Sequence, residues 1–128
     1  MNLLLDTHVA LWAITDHPRL SSRARALIEA PSAEVWVSVA SLWEIAIKHT
    51  LGRGDMPVSA KAAAEYFRLA GYRLLAIEPE HVIALEGIAT HHHDPFDRLL
   101  VAQALAEPMR LLTHDPIFAK YSESIEQV

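Results

Sequence analysis

The sequence contains no cysteine, and this absence excludes several kinds of site at once. None of its 128 residues can form a disulfide, bind zinc as a thiolate or act as a thiol nucleophile. Any metal site must therefore be built without thiolates, for example from carboxylate and other oxygen donors or from histidine nitrogens. A chain without disulfides also fits the reducing cytosol, and we expect the protein to be cytoplasmic.

A long apolar run is also missing. Residues 2–5 read NLLL, but Asp6 follows at once and no basic residue precedes them, which fits neither a signal peptide nor a transmembrane helix. Because 52% of the residues are hydrophobic, we expect a single domain over residues 1–128, with some apolar surface left for a partner. The tryptophans are predicted to face the core or that partner rather than to stack on bases. They are Trp12, Trp36 and Trp43.

The chain has no excess of positive charge. Eleven Lys and Arg residues stand against 16 Asp and Glu residues, for a net charge of −5 at pH 7. A phosphate ligand would therefore need a local basic patch or a bound metal. Two basic clusters occur, for which a solvated helix face is the preferred explanation and contact with RNA the alternative. They comprise Arg19, Arg23 and Arg25, and Lys48, His49 and Arg53.

Strand and helix signals alternate along the chain. Short apolar or β-branched runs predict strands at residues 2–5, 34–38, 72–77, 110–113 and 124–128. Capping and stop signals predict helices at residues 7–14, 21–29, 38–51, 59–70, 79–89 and 94–106, a turn at residues 52–57, and a short helix after residue 115. This order predicts an α/β fold, with a mostly parallel sheet covered by helices on both faces.

The segment from residue 91 to 105, HHHDPFDRLLVAQAL, combines acid, base and helix signals most densely. Asp94 suits an N-cap, Pro95 the first helical position, and Asp97 the third. The helix that follows is apolar nearly all round, up to Leu105, so we expect it to be buried with both acids pointing into the interior or a cleft. A capping pair is the alternative. The three histidines at 91–93 cannot all face one metal from a regular element, and we predict a solvated loop.

Four acids from separate segments are predicted to converge. Asp6 follows the first strand and Asp115 the fourth, while Glu44 and Asp97 lie early in helices that could start from the same edge. Ligands of parallel sheets bind at the carboxyl ends of the strands. Ser41 and Glu44 also match a capping box, and each acid alone could be a helix cap. The hypothesis of a shared site therefore depends on the joint placement of all four.

The negative charge of four converging carboxylates must be neutralised. At a separation of about 5 Å and an effective dielectric of about 20, each pair repels by roughly 3 kcal/mol. A marginally stable domain cannot hold all of these pairs unrelieved, so some carboxyls are protonated or divalent cations bind. Oxygen-only ligation favours Mg²⁺ or Mn²⁺. Such ions serve the attack of metal-activated water on a phosphodiester.

Four segments, in this order and spacing, resemble the PIN-domain family, and specifically the VapC-type toxins of bacterial toxin-antitoxin pairs. They read LLLDTHVALWA, SLWEIAIK, HHHDPFDRLLVAQA and LLTHD. The resemblance covers essentially the whole chain and implies a three-layer α/β/α sandwich with a central parallel sheet. It also implies a Mg²⁺- or Mn²⁺-dependent endoribonuclease that is neutralised by a cognate VapB-type antitoxin, received by helices around Trp12, Trp43 and Tyr66. A homodimer, contact with operator DNA only through the antitoxin, and no membrane association complete the expectation.

The same resemblance assigns roles to individual residues. The catalytic and metal-binding quartet would be Asp6, Glu44, Asp97 and Asp115. Asp94 would be an auxiliary acid or cap, and Thr113 and Arg98 would support the site. Two alternatives stay open. A phosphoacceptor receiver domain has a similar length and element order but needs two adjacent acids after the first strand and a lysine late in the chain. A non-catalytic PIN-like module would only bind a partner.

Overall fold

In the computed structural model of the chain, residues 1–52, 56–89 and 94–128 are described. The strands in these ranges are β1 (Asn2–Leu5), β2 (Glu34–Ser38), β3 (Arg73–Leu75), β4 (Arg110–Thr113) and β5 (Ile125–Gln127). The α-helices are α1 (Thr7–Thr15), α2 (Ser22–Glu29), α3 (Val39–Thr50), α4 (Ala60–Leu69), α5 (Pro79–Ala84) and α6 (Pro95–Ala106). Two 3₁₀ turns cover Leu85–Gly87 and Pro116–Lys120. No helix within the described ranges has both the length and the hydropathy needed to cross a membrane.

The five strands form one sheet in the order β3-β2-β1-β4-β5, and every neighbouring pair is parallel. The predicted parallel sheet is therefore confirmed. The chain builds outward from β1 through β2 to β3 and then crosses back to the other side of β1 with β4. Because the strand order reverses between β1 and β4, the crevice at their carboxyl ends is where open α/β sheets bind ligands.

Alternating side chains of β1 divide the interior into two cores. Leu3 and Leu5 face one core, which includes Val9 of α1 and Phe67 of α4. Leu4 faces the other, which α6 and the segment after β4 complete. All three leucines are fully buried. Helices thus cover both faces of the sheet, and the fold is the three-layer α/β/α sandwich.

Helix α6 is largely buried, as its apolar composition predicted. Its buried apolar side chains are Leu99, Leu100, Val101, Ala102 and Ala104. The prediction is wrong for Leu105, whose exposed fraction is 47%. Leu105 lies on the same helical face as the buried Val101 and Ala102, so its exposure goes with its place in the last turn of α6 and not with rotation about the helix.

Some predicted boundaries are too long. The third strand was expected over residues 72–77, but only Arg73–Leu75 pair with β2. Leu75 pairs with Ser38, after which the chain enters α3, so residues 76 and 77 have no strand beside them. The helix expected at residues 79–89 ends at Ala84 and continues as a 3₁₀ turn. The histidine loop at 91–93 and residues 53–55 of the predicted turn lie outside the described residues.

Candidate active site

The five predicted acids meet at one cavity of about 390 Å³, at the reversal of strand order between β1 and β4. They come from the end of β1, the second turn of α3, the start of α6 and the segment after β4. The acids that line the cavity are Asp6, Glu44, Asp94, Asp97 and Asp115. His8, Lys48 and His114 also line it. The topology therefore brings together residues that lie up to 109 positions apart in the sequence.

Asp6 is both a helix cap and a wall of the cavity. Its exposed fraction is only 5%. Oδ1 accepts a hydrogen bond from the Val9 amide at 2.8 Å, which caps α1, and Oδ2 accepts from the Thr113 hydroxyl at 2.7 Å and the His114 amide at 3.2 Å. Burial raises the pKa of Asp6 above its ordinary value, and these hydrogen bonds act in the opposite direction. The carboxylate is held in one orientation on both of its oxygens.

Glu44 is buried, with an exposed fraction of 3%, and both of its oxygens are engaged. Oε1 accepts from the Thr7 hydroxyl at 2.7 Å, and Oε2 lies 2.7 Å from Nζ of Lys48. The predicted capping box of Ser41 and Glu44 does not form, because Ser38 caps α3 by accepting from the Ala40 amide. Ser41 lies inside the helix, and its hydroxyl oxygen lies 2.9 Å from that of Thr7. Glu44 is therefore oriented by a hydroxyl and a cation rather than by a helix end.

Asp94 and Asp97, at the start of α6, have different roles. Oδ1 of Asp94 accepts from the Phe96 amide at 2.9 Å and the Asp97 amide at 3.2 Å, which confirms Asp94 as the N-cap. Burial, followed by the charges of Asp94, Glu44, Asp6 and Asp115, raises the pKa of Asp97 to about 8. Asp97 is therefore close enough to every other acid of the cavity for their charges to disfavour its ionised form.

Asp115 and Thr113 complete the side of the cavity formed by β4. The Asp115 carboxylate accepts from the Ile117 amide at 3.0 Å and caps the 3₁₀ turn. Its own amide donates to the Thr113 hydroxyl at 3.0 Å, and that hydroxyl donates to Asp6. Thr113 is thus a hydrogen-bonded bridge between two of the acids.

Arg98 lies away from the lining of the acidic cavity. Its Nη2 donates to the carbonyls of Leu85 at 3.3 Å and Ile88 at 3.2 Å, at the end of the 3₁₀ turn that follows α5. This contact fixes the first turn of α6 to the segment packed against it. Its support for the acids is therefore indirect.

Sequence analysis missed the contributions of Lys48 and Thr7. Lys48 was grouped with a solvated basic face, although it is four residues after Glu44, the spacing at which helical side chains meet. Thr7 directly follows Asp6, but its bond to Glu44 joins α1 to α3 and has no local sequence signal.

A second cluster of metal-capable side chains lies between α5 and α6. Glu80, His81 and Glu107 each place a ligand atom within 4.8 Å of the others. His81 is fully buried, its Nε2 lies 2.7 Å from Oε2 of Glu107, and its Nδ1 accepts from the Glu78 amide at 3.0 Å. The amide of Gln103 also lies 3.4 Å from Nδ1. Because donors face Nδ1, the imidazole proton lies on Nε2, which donates to Glu107 and has no lone pair for a metal.

Residues 3–124 match the PIN domain family. The chain therefore belongs to the PIN domain family, whose members are nucleases that use divalent metals. The fold also matches a chain in the crystal structure of VapBC2 from Rickettsia felis bound to a DNA fragment from their promoter, with a TM-score of 0.73. The match covers 99% of this chain and 98% of that chain at 18% sequence identity, and at this identity it shows a shared fold. Among curated proteins no sequence matches.

Proposed function

We propose that the protein is a cytoplasmic VapC-type toxin, an endoribonuclease that depends on Mg²⁺ or Mn²⁺ and hydrolyses RNA phosphodiesters. The observation that carries this proposal is the convergence of five carboxyls, from four separate segments, on one cavity of a PIN domain. Burial, followed by the negative charges of the other four acids, raises the pKa of Asp97 to about 8, so repulsion among these groups contributes to the raised value. A divalent cation relieves that repulsion, and an oxygen-only donor set suits Mg²⁺ or Mn²⁺.

The cation would be held by the quartet of Asp6, Glu44, Asp97 and Asp115. A carboxylate oxygen offers more than one lone pair, so hydrogen bonds to Asp6 and Glu44 leave room for coordination. When bound, Mg²⁺ or Mn²⁺ supplies positive charge to the phosphodiester and lowers the pKa of an attacking water. The chain's own part is to fix the donors before the ion arrives.

Other side chains orient the quartet in this proposal. Thr113 fixes Asp6, and Asp94 fixes the helix turn that carries Asp97. Lys48 holds Glu44 through an ion pair of 2.7 Å and lines the same cavity. With Glu44 engaged in holding a cation, the Lys48 ammonium would be the group in this cavity that could face a phosphate of the substrate.

An exposed apolar face on α3 supports a protein partner. Val39, Trp43, Ile47 and Leu51 recur every four residues and are all exposed. Trp43 has an exposed fraction of 55% and packs edge-on against Phe96, with ring centroids 4.9 Å apart. Exposed apolar surface of this kind marks interaction sites.

We assign this face to a cognate VapB-type antitoxin, through which the complex contacts operator DNA. The similar structure is titled as VapBC2 bound to promoter DNA, which is consistent with that arrangement. A homodimer would join two acidic cavities into one longer groove for RNA. Co-expression of the antitoxin should relieve toxicity, and Trp43→Ser should reduce that relief.

The decisive experiment measures cleavage of mixed cellular RNA by purified protein in Mn²⁺ and in chelator. We expect metal-dependent fragments from the wild type and a loss of at least about a hundredfold in Asp97→Asn, since one ligand is removed. Asp16→Asn is the matched control, because Asp16 is exposed and its φ of 50° suits asparagine equally. Absence of metal-dependent fragments would favour a non-catalytic PIN module that only binds a partner.

A further inference from the structure

A second cavity, of about 460 Å³, adjoins the acidic one on the α1 side. His8 lines both cavities, and His114, another residue of the acidic cavity, contacts Trp12 of the second. His17 and Arg19 complete the polar part of the lining. The two cavities are therefore neighbours joined by two imidazoles, and we name this second one the Trp12 cavity.

Aromatic and cationic groups surround the half-buried Trp12 ring. The His17 imidazole stacks on it at a centroid distance of 6.0 Å and an angle of 26°, and the His114 ring meets it edge-on at 4.9 Å. The His8 ring lies 5.9 Å away, one helical turn earlier on α1. The Arg19 guanidinium lies 5.5 Å over the indole. As predicted, Trp12 packs against the core beside β1. The rest of its ring is surrounded by three imidazoles and a guanidinium, which form a polar aromatic lining.

The nearby arginines differ in what they contact. Arg23 forms an ion pair with Glu126 at 2.5 Å, and Arg25 forms one with Asp16 at 2.8 Å. Within the described ranges no ion pair involves Arg19, whose side chain is directed at the Trp12 ring. Of this basic cluster, Arg19 is thus the residue whose guanidinium can bind a ligand phosphate beside the acidic cavity.

The three histidines do not make a metal site. Within residues 1–52, 56–89 and 94–128, His8, His17 and His114 do not form a group whose ligand atoms all lie within 4.8 Å of one another. The imidazoles around Trp12 instead offer flat faces and ring nitrogens. Flat faces stack on bases, and ring nitrogens donate or accept hydrogen bonds at base edges.

We propose that the Trp12 cavity binds the base of a nucleotide that flanks the cleaved phosphodiester, with Arg19 contacting the adjoining phosphate. The inference rests on the proposed nuclease function and names how the strand is held. A chain with a net charge of −5 and a cavity of five acids repels RNA, so strand binding needs a stacking surface and a local cation at its margin. Base stacking on aromatic side chains is largely independent of sequence, as a subsite beside the scissile bond requires.

The test measures binding of a short fluorescein-labelled single-stranded RNA, by anisotropy, in chelator so that no metal-dependent cleavage occurs. Arg19→Gln is the first variant, since Arg19 is exposed and its loss leaves the core intact. Arg73→Gln is the matched control, because its guanidinium lies 5.5 Å over Trp36, far along the sheet at the β3 edge. We expect weaker affinity in Arg19→Gln, with the dependence of log affinity on log salt reduced by about one because one phosphate contact is lost, and no change in Arg73→Gln.

A second readout follows the fluorescence of the tryptophans on addition of AMP in chelator. Quenching in the wild type that disappears in Trp12→Leu, while Trp36 and Trp43 remain, supports the subsite. Circular dichroism checks that Trp12→Leu folds, and Arg19→Gln repeats the test without a core change. Equal RNA affinity of Arg19→Gln and wild type overturns the proposal, as does equal weakening in Arg73→Gln.

Two further outcomes separate this inference from others. If Arg19→Gln binds RNA normally but loses a small protein partner, the cavity belongs to a protein interface and the proposal is wrong. If the wild type shows no metal-dependent cleavage but RNA affinity still depends on Arg19 and Trp12, the nuclease proposal fails and the nucleotide site stands. Mn²⁺ binding should be the same in Arg19→Gln and wild type, since the acids are unchanged.

Discussion

The acidic cavity is lined by five carboxyls, whereas Glu80, His81 and Glu107 are the group among the described residues whose ligand atoms lie within 4.8 Å of one another, and the electrostatics of the two places differ. In the cavity, burial and then the charges of the neighbouring carboxylates raise the pKa of Asp97 to about 8. In the cluster, the single buried imidazole donates to Glu107 and accepts from a backbone amide. The acids of the cavity repel one another, whereas the side chains of the second cluster are joined by hydrogen bonds.

This difference shows that the number of nearby ligand atoms is a poor guide to a metal site. A cation binds where binding lowers the free energy of the site, and the decrease is large where carboxylates repel one another. Where protons and hydrogen-bond donors already occupy the lone pairs, a cation has to displace them. We therefore expect a metal to bind at the acidic cavity and not at His81.

The largest expected effect concerns the pH dependence of stability in metal-free protein. Unfolded Asp97 loses its proton near its ordinary pKa of 3.8, whereas folded Asp97 keeps it up to about pH 8. The folded state binds more protons in that window, so stability should fall as pH rises from about 4 to 8 and then level off. Solvent screening should reduce the total to roughly 3 kcal/mol. Urea unfolding in chelator at pH 5 and 8 should show this loss in wild type but not in Asp97→Asn, and parallel profiles would contradict it.

Added Mn²⁺ should stabilise the protein by mass action, by about 2.7 kcal/mol at a hundred times the Kd. This corresponds to a rise in Tm of roughly 10 °C for a domain of this size. The rise should be larger at pH 8 than at pH 6, because the metal competes with the proton on Asp97. Thermal melts should show that Asp97→Asn loses most of the effect and that Glu107→Gln keeps it. A reduced shift in Glu107→Gln would move the metal to the second cluster.

His81→Leu tests whether the second cluster is structural. The change leaves the Glu78 amide and part of the Gln103 amide without their acceptor, which should lower the free energy of unfolding by about 1 to 3 kcal/mol. The Tm shift on addition of Mn²⁺ should be unchanged, because no acid of the cavity is altered. Unfolding in urea measures the loss, and wild-type stability in this variant would show that the network contributes little.

The smallest expected change in the free energy of unfolding is that of Glu107→Gln. Glutamine still offers an oxygen to the Nε2–H of His81, so a neutral imidazole loses only the charge of its acceptor, at a cost below about 1 kcal/mol. The free energy of unfolding at pH 7 measures it. A loss as large as that of His81→Leu would indicate a charged imidazolium and would refute the tautomer described above.

The sequence predicted the fold and the acids well, because their signals are local. Caps such as Asp94, and apolar strands followed by an acid such as Asp6, are read within a few residues. Features created by packing were not predictable in this way. The length of β3 depends on where β2 ends, and Leu105 is exposed in the last turn of α6 although Val101 and Ala102 on the same helical face are buried.

Other features could not be predicted because they depend on contacts between elements that are far apart in the sequence. His81 and Glu107 meet because α5 packs on α6, which no spacing in the sequence indicates. The reversal of strand order between β1 and β4 likewise follows from the complete sheet. Lys48 is the exception, since its place four residues after Glu44 was readable and a solvated face was preferred instead.

The hydrogen bond from Thr113 to Asp6 joins residues 107 positions apart. Contacts of such separation form late in folding, after the entropy of closing a long loop has been overcome. A nascent chain that has not yet released β4 from the ribosome lacks the bridge to Asp6, the amide of His114 and the Asp115 carboxylate. Under the proposed function, a ribosome is therefore exposed to the complete site only after nearly the whole chain has been synthesised. A chain truncated before residue 110 keeps four of the five acids but lacks Thr113, His114 and Asp115.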